Sequence, residues 1–130
     1  MRKTKIVTTF LTNSDKILLL KRSQKVKSMK NLWAGISGII EGNEQPLERA
    51  KIEVYEEVGI KESNIELIKE GKIILIESPQ YENHQWEVYP FLFSCNNIEI
   101  KLNWENSESK WINVNELNEF KTVPSLDRVL

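Results

Sequence analysis

The sequence predicts an α/β (α+β) fold in which strands and helices are intermixed around one sheet, and three observations carry that reading. Short runs of β-branched and aromatic residues are separated by turn-forming residues. One strongly patterned segment is bracketed by Pro46 and Gly59, as a helix would be. A chain of 130 residues, 40% of them apolar, is the size of one ordinary domain with one core. The expectation is a single domain over 1–130.

Residues 6–12 (IVTTFLT) read as a strand, Asn13-Ser14-Asp15 as a turn and residues 17–20 (ILLL) as the returning strand of a hairpin. A basic loop over 21–30 leads into residues 32–40, a strand interrupted by close-approach glycines. The spacing predicts a helix over 46–58. Pro46 has the φ of a first helical turn, Glu48 suits the positive N-terminal end, and Gly59 can take the left-handed conformation that ends it. Its apolar stripe is Leu47, Ala50, Val54 and Val58. Further strands are expected at 65–68, 72–77, 86–94 and 98–102, with a last one beginning at Trp111. Asn113 or Asn115 would cap a short helix through Phe120, and Pro124 would start another.

Eighteen basic residues nearly balance nineteen acidic ones, for a net charge of −1, so no overall field favours nucleic acid. A single cysteine, Cys95, excludes an internal disulfide, and a single histidine, His84, excludes a multi-histidine metal site. Any metal would be bound by oxygen. No apolar run approaches the roughly 18 residues of a membrane span, so the expectation is a soluble, cytoplasmic protein that does not engage membranes. His84 is expected at the surface and Cys95 in or beside the sheet.

On the helix, Glu53, Glu56 and Glu57 stand at i, i+3 and i+4, so their carboxylates share a face, read here as opposite the apolar stripe. Glu56 and Glu57 also occupy the last turn, where the helix dipole disfavours anions by about 0.3–1 kcal/mol each. A solvated acidic face is one explanation. A divalent cation site is the other, since magnesium takes oxygen ligands and tolerates two or three carboxylates from one rigid surface.

The spacing around these glutamates resembles the Nudix box: a glycine, five residues, glutamate, seven residues, Arg-Glu-aliphatic, one residue, Glu-Glu, one residue, Gly-aliphatic. It reads here Gly38, Glu44, Ile52-Glu53-Val54, Glu56-Glu57, Gly59-Ile60, matching at eight of nine specified positions. The departure is Ile52, where the family has an arginine that tethers the glutamates. Arg49, four residues before Glu53, is a candidate to take over part of that tethering. The approach to the box also departs from the usual Pro-Gly-Gly form, keeping Trp33, Gly38, Glu41 and Glu44.

The resemblance implies a MutT-like Nudix hydrolase: an α/β/α sandwich with a mixed central sheet that cuts phosphoric anhydride bonds. It implies Mg2+, with Mn2+ as the alternative, bound by the Gly38 carbonyl, Glu53, Glu56 and Glu57. One more acidic residue after the box would bind metal or activate water. Glu105 is the first candidate and Glu108 the second. Arg22, at the end of the second strand, resembles the family's phosphate-facing basic residue. From the residues themselves, Trp33, Trp86, Tyr89 and Phe91 are candidates for stacking a base or else for the core, with Trp86 and Tyr81 the preferred pair because polar neighbours place them near a loop. The implied substrate is a nucleoside diphosphate linked to a group X, handled by a monomer or homodimer. The alternative is a Nudix-fold nucleotide-binding module with weak or no catalysis. An isopentenyl diphosphate isomerase, sharing the fold, would need its cysteine before the box, and Cys95 follows it.

Overall fold

A computed structural model describes residues 2–26, 29–77, 83–96 and 99–122. Strand β1 (Arg2–Asn13) is the axis of the sheet. It turns at Ser14 and Asp15, both with positive φ, into β2 (Lys16–Arg22), forming the expected hairpin. The hairpin is brief: only Thr12 and Asn13 pair with β2. Lower down, the same edge of β1 pairs with β4 (Ile36–Ile39), from Ile6 opposite Ile39 to Thr9 opposite Ile36. β1 thus serves two neighbours on one edge, and a notch opens between them. β3 (Trp33–Ala34) pairs with β2.

On its other edge β1 runs parallel to β7 (His84–Cys95), from Arg2 opposite His84 to Thr12 opposite Ser94. β7 is flanked by β5 (Ile65–Glu70) and β6 (Ile74–Glu77), both antiparallel to it. β8 (Asn106–Ile112) pairs antiparallel with β2. The sheet is therefore mixed, with eight strands among the described residues.

Three expectations are corrected. The last strand ends at Trp111-Ile112 rather than starting there, because its polar residues pair with β2 at the sheet's end. Residues 99–103 form no strand. The Lys101 N–H instead donates to the Val58 carbonyl at 2.9 Å, closing the helix C-terminus, while Ile100 and Leu102 pack on the core. His84 is buried rather than superficial, its Nε2 2.7 Å from Thr4 Oγ1 and its ring tilted on Trp86 at 4.7 Å. Lys27, Pro79, Tyr81, Ile98 and the helix expected from Pro124 lie outside the described residues.

Helix α1 (Pro46–Val58) has the expected bounds. Gly59, at φ 75°, donates its N–H to Tyr55 O, a left-handed stop that a side chain would strain. The buried residues Ala50, Val54 and Val58 pack with Val7, Leu11, Leu18, Leu20, Ile36, Phe91, Phe93 and Cys95 into the main core. Odd positions of β1 and β7 thus face the helix, as strand alternation requires. Even positions face the other side, where Phe10, Ile17, Leu19 and Ile112 are covered by Trp33, Leu117 and Phe120. Leu117 lies within a short 3-10 helix, Val114–Glu119, and Phe120 follows it; Asn113 caps that helix in a reciprocal bond with Glu116.

Candidate active site

Four chain segments meet where β1 parts from β2 and takes up β4: β4 itself, α1, the end of β2 and the lead into β8. Gly38 lies on β4 opposite Val7, facing the helix. A Cβ built there would overlap the Glu53 carboxyl carbon and Oε2, so only glycine lets the strand lie this close to the helix. Its backbone is brought against an acidic side chain by that absence.

Glu53 and Glu57 are 7% and 3% exposed, whereas Glu56 is exposed. The expectation of three carboxylates opposite the apolar stripe is therefore corrected: two flank the stripe and are buried, and only Glu56 faces water. Glu57 Oε1 accepts a 3.0 Å hydrogen bond from Asn106 Nδ2. Its Oε2 is buried with no donor to meet it. Burial, and then the negative charges of Glu105 and Glu53, raise the Glu57 pKa well above the ordinary carboxylate value. Burial likewise raises that of Glu53, opposed by its bond from Arg49.

Arg49 holds Glu53 from the preceding turn of the helix. Its Nη1 donates to Glu53 Oε2 at 3.0 Å, while Nε and Nη2 donate to Glu44 Oε1 and Oε2 at 3.0 and 2.6 Å. Its second partner, besides Glu53, is therefore Glu44. Ile52 is 39% exposed.

Arg22 closes the notch from β2, in register with Asn106. Burial lowers its pKa, and the carboxylates of Glu57 and Glu105 pull it back up. That places a guanidinium and both carboxylates in one field. Glu105 is fixed through its backbone: its N–H donates to Asn103 Oδ1 at 3.1 Å and its carbonyl accepts the Ser23 N–H at 2.8 Å. Ser23 Oγ also donates to Trp104 O at 2.7 Å. Glu108 lies elsewhere, on β8 opposite Lys21, with which it makes a 3.3 Å ion pair.

Of the stacking candidates, Trp86 sits at an even position of β7 beside His84, on the face away from α1. Trp33 meets Phe120 edge-on at 5.3 Å and contributes to the second core. Tyr89 faces α1 and donates to Glu87 Oε2 at 3.3 Å; burial first and then Glu87 raise its pKa. Sequence reasoning missed Asn106 and Ser23. Both act across long separations, and no local pattern marks them.

Among the described residues no three acidic, histidine or cysteine side chains already stand together as a ligand set. The chemistry of the cluster nonetheless fits a hard divalent cation. It offers the carboxylates of Glu53 and Glu57, a buried Glu57 oxygen without a donor and the Gly38 backbone packed against Glu53, and such an ion completes its shell with water and phosphate.

The NUDIX domain family matches residues 2–130 of this chain. An RNA pyrophosphohydrolase of Pelagibacter ubique (strain HTCC1062) is 31% identical over 123 residues, covering 84% of this chain and 75% of that protein. Among solved structures, a MutT protein from Methanosarcina mazei Go1 superimposes with a TM-score of 0.77 at 22% identity, covering 98% of this chain and 88% of that one. A NUDIX hydrolase from Nitrosomonas europaea gives 0.79 at 15% identity, covering 98% and 86%. These two share the fold. The chain belongs to the Nudix family and is a hydrolase acting on phosphoric anhydride bonds. No described helix is long and apolar enough to cross a membrane.

Proposed function

We propose that the whole chain is one catalytic domain, a cytoplasmic Mg2+-dependent nucleotide pyrophosphohydrolase that cleaves the pyrophosphate bond of a nucleoside diphosphate linked to a group X. Mn2+ would substitute for Mg2+. The observation that carries this reading is Glu57, buried with one oxygen lacking any donor and with Glu53 and Glu105 as like-charged neighbours. A structural role alone would not keep such a group, because an unsatisfied buried carboxylate destabilises the fold.

The Gly38 carbonyl, Glu53, Glu57 and the exposed Glu56 would hold the cation. When bound, it neutralises phosphate oxygens and lowers the pKa of water. Glu105, anchored by Asn103 and Ser23, takes the proton from the attacking water. Oxygen then bonds to phosphorus as the bridging P–O bond breaks, giving a nucleoside monophosphate and phosphorylated X. Arg22 offers its planar fork to the phosphate oxygens and stays charged in spite of burial. Asn106 fixes one Glu57 oxygen and leaves the other for the ion. Trp86, on the sheet face away from α1, and Trp33, packed on Phe120 in the second core, both stand apart from the carboxylates, so stacking of the base on them is not part of this proposal.

A second reading places the pyrophosphate on an RNA 5′ end, and the 31% identical RNA pyrophosphohydrolase favours it. One experiment covers both. Release of phosphate and pyrophosphate is followed from nucleoside triphosphates, dinucleoside polyphosphates, ADP-ribose and a 5′-triphosphorylated oligoribonucleotide, with Mg2+ and then Mn2+. Glu57→Gln is the control, expected to lose orders of magnitude in turnover while staying folded. Near-wild-type rates from that variant would sink the assignment.

A further inference from the structure

We infer that Arg49 is the positioning residue of this site: by clamping Glu53 to Glu44 it performs, one helical turn earlier, the tethering for which the box pattern has an arginine at position 52. The inference rests on the reading of Glu53 as a cation ligand given above.

Three donors of one guanidinium are committed to two carboxylates. Nε and Nη2 form a two-pronged bond with Glu44, and Nη1 bonds Glu53 Oε2. Both partners are otherwise constrained. Glu44 Oε1 also accepts the Glu41 N–H at 2.8 Å, and the Glu44 N–H donates to Glu41 O at 3.1 Å, so the turn before α1 fixes its carboxylate from behind. Glu53 lies against Gly38, where there is no room for any other side-chain atom. The chain of contacts runs from a rigid turn through a planar fork to one oxygen of Glu53, and the same carboxyl neighbours Glu57.

The pair is shielded from water, with side-chain exposures of 13% for Arg49 and 9% for Glu53. Burial gives it a directing strength that a surface ion pair lacks. A lysine could not replace it, because one ammonium cannot present two parallel donors to Glu44 and a third to Glu53. The residue at 52 is turned partly to solvent, so an isoleucine is tolerated there once the tether has moved to 49.

The test measures Mn2+ binding to chelator-stripped protein by electron paramagnetic resonance, alongside kcat and KM for the best panel substrate. Partners that orient metal ligands are typically worth about 10- to 100-fold in affinity or activity. Arg49→Ala should therefore weaken Mn2+ binding by about tenfold or more and lower kcat more than it raises KM. Arg49→Ala/Ile52→Arg, which returns the arginine to the family's position, should recover most of both losses. If Arg49→Ala does not fold, Arg49→Lys serves in its place and should show a smaller weakening in the same direction. Wild-type Mn2+ affinity in the single variant would overturn the inference. So would a loss that the transplanted arginine does not repair, since Arg49 would then be supporting the helix rather than aiming a carboxylate. Should the wild-type protein hydrolyse nothing in the panel while Mn2+ affinity responds as described, the substrate reading falls and the clamp stands.

Discussion

Replacing Glu57 by glutamine should stabilise the metal-free protein even as it removes activity. Glu57 is 3% exposed, Oε1 is satisfied by Asn106, and Oε2 meets no donor. A buried polar atom left unsatisfied costs about 1–3 kcal/mol, and a charged one more. Glutamine keeps an oxygen for Asn106 and turns the other position into an NH2 that can donate toward the Glu53 carboxylate. The gain at pH 8 in chelator should be about 1–3 kcal/mol, or roughly 4–12 °C in Tm for a domain of this size. The pH dependence has a definite sign. Burial, reinforced by Glu105, raises the folded-state pKa of Glu57 well above its ordinary 4.5. The folded protein then holds more protons than the unfolded chain above that ordinary value. Metal-free stability should fall as pH rises from about 4.5 through the raised pKa, with no such effect below it. Thermal unfolding by circular dichroism at pH 5, 6.5 and 8 in EDTA reads this directly, and Glu57→Gln should flatten the trend. Adding Mg2+ or Mn2+ should reverse the ranking, stabilising wild type and not the variant. A wild-type Tm indifferent to pH, together with a variant no more stable in chelator, would refute the reasoning.

Gly38→Ala should place a methyl group into the Glu53 carboxyl and cost about 100-fold or more in turnover, measured by phosphate release, while far-ultraviolet dichroism stays native. Glu105→Gln should lose about 10²- to 10⁴-fold in kcat, whereas Glu108→Gln, which breaks an exposed pair with Lys21, should keep near-wild-type rates. Asn106→Ala leaves Glu57 Oε1 without its donor, and denaturant melts should show a loss of about 1–3 kcal/mol. EDTA should abolish hydrolysis, and Mn2+ should restore it in the same sample.

Helix α1 was legible because its ends carry their own chemistry, Pro46 to start it and Gly59 to stop it, with an apolar stripe between. The burial of Glu53 and Glu57 was legible in principle and misjudged. At 3.6 residues per turn they lie within about 60° and 20° of Ala50, on the shoulder of the stripe rather than across from it. The box spacing pointed to Gly38, but only the packing shows that its missing side chain is what admits Glu53. The strand expected over 98–102 was misread because an apolar alternation there serves to cover the helix end, not to pair. The start of β8 was invisible for the opposite reason, as Asn106–Lys110 carry no apolar signal and owe their conformation to β2. Asn106 and Ser23 find their partners 49 and 81 residues away. No window along the chain holds both halves of such a contact.

That difference in range divides the site by when it can form. Arg49, Glu44 and Glu53 lie within ten residues of one another, so their clamp needs little more than the turn and the helix. Glu57, Asn106, Ser23 and Glu105 come together only after β8 has docked on β2, late in the chain and at high loop-closure entropy. The site is therefore completed in two instalments. A chain still short of β8 holds one oriented carboxylate and lacks the anchored Glu105 proposed to take the proton, so its site stays incomplete until β8 docks on β2.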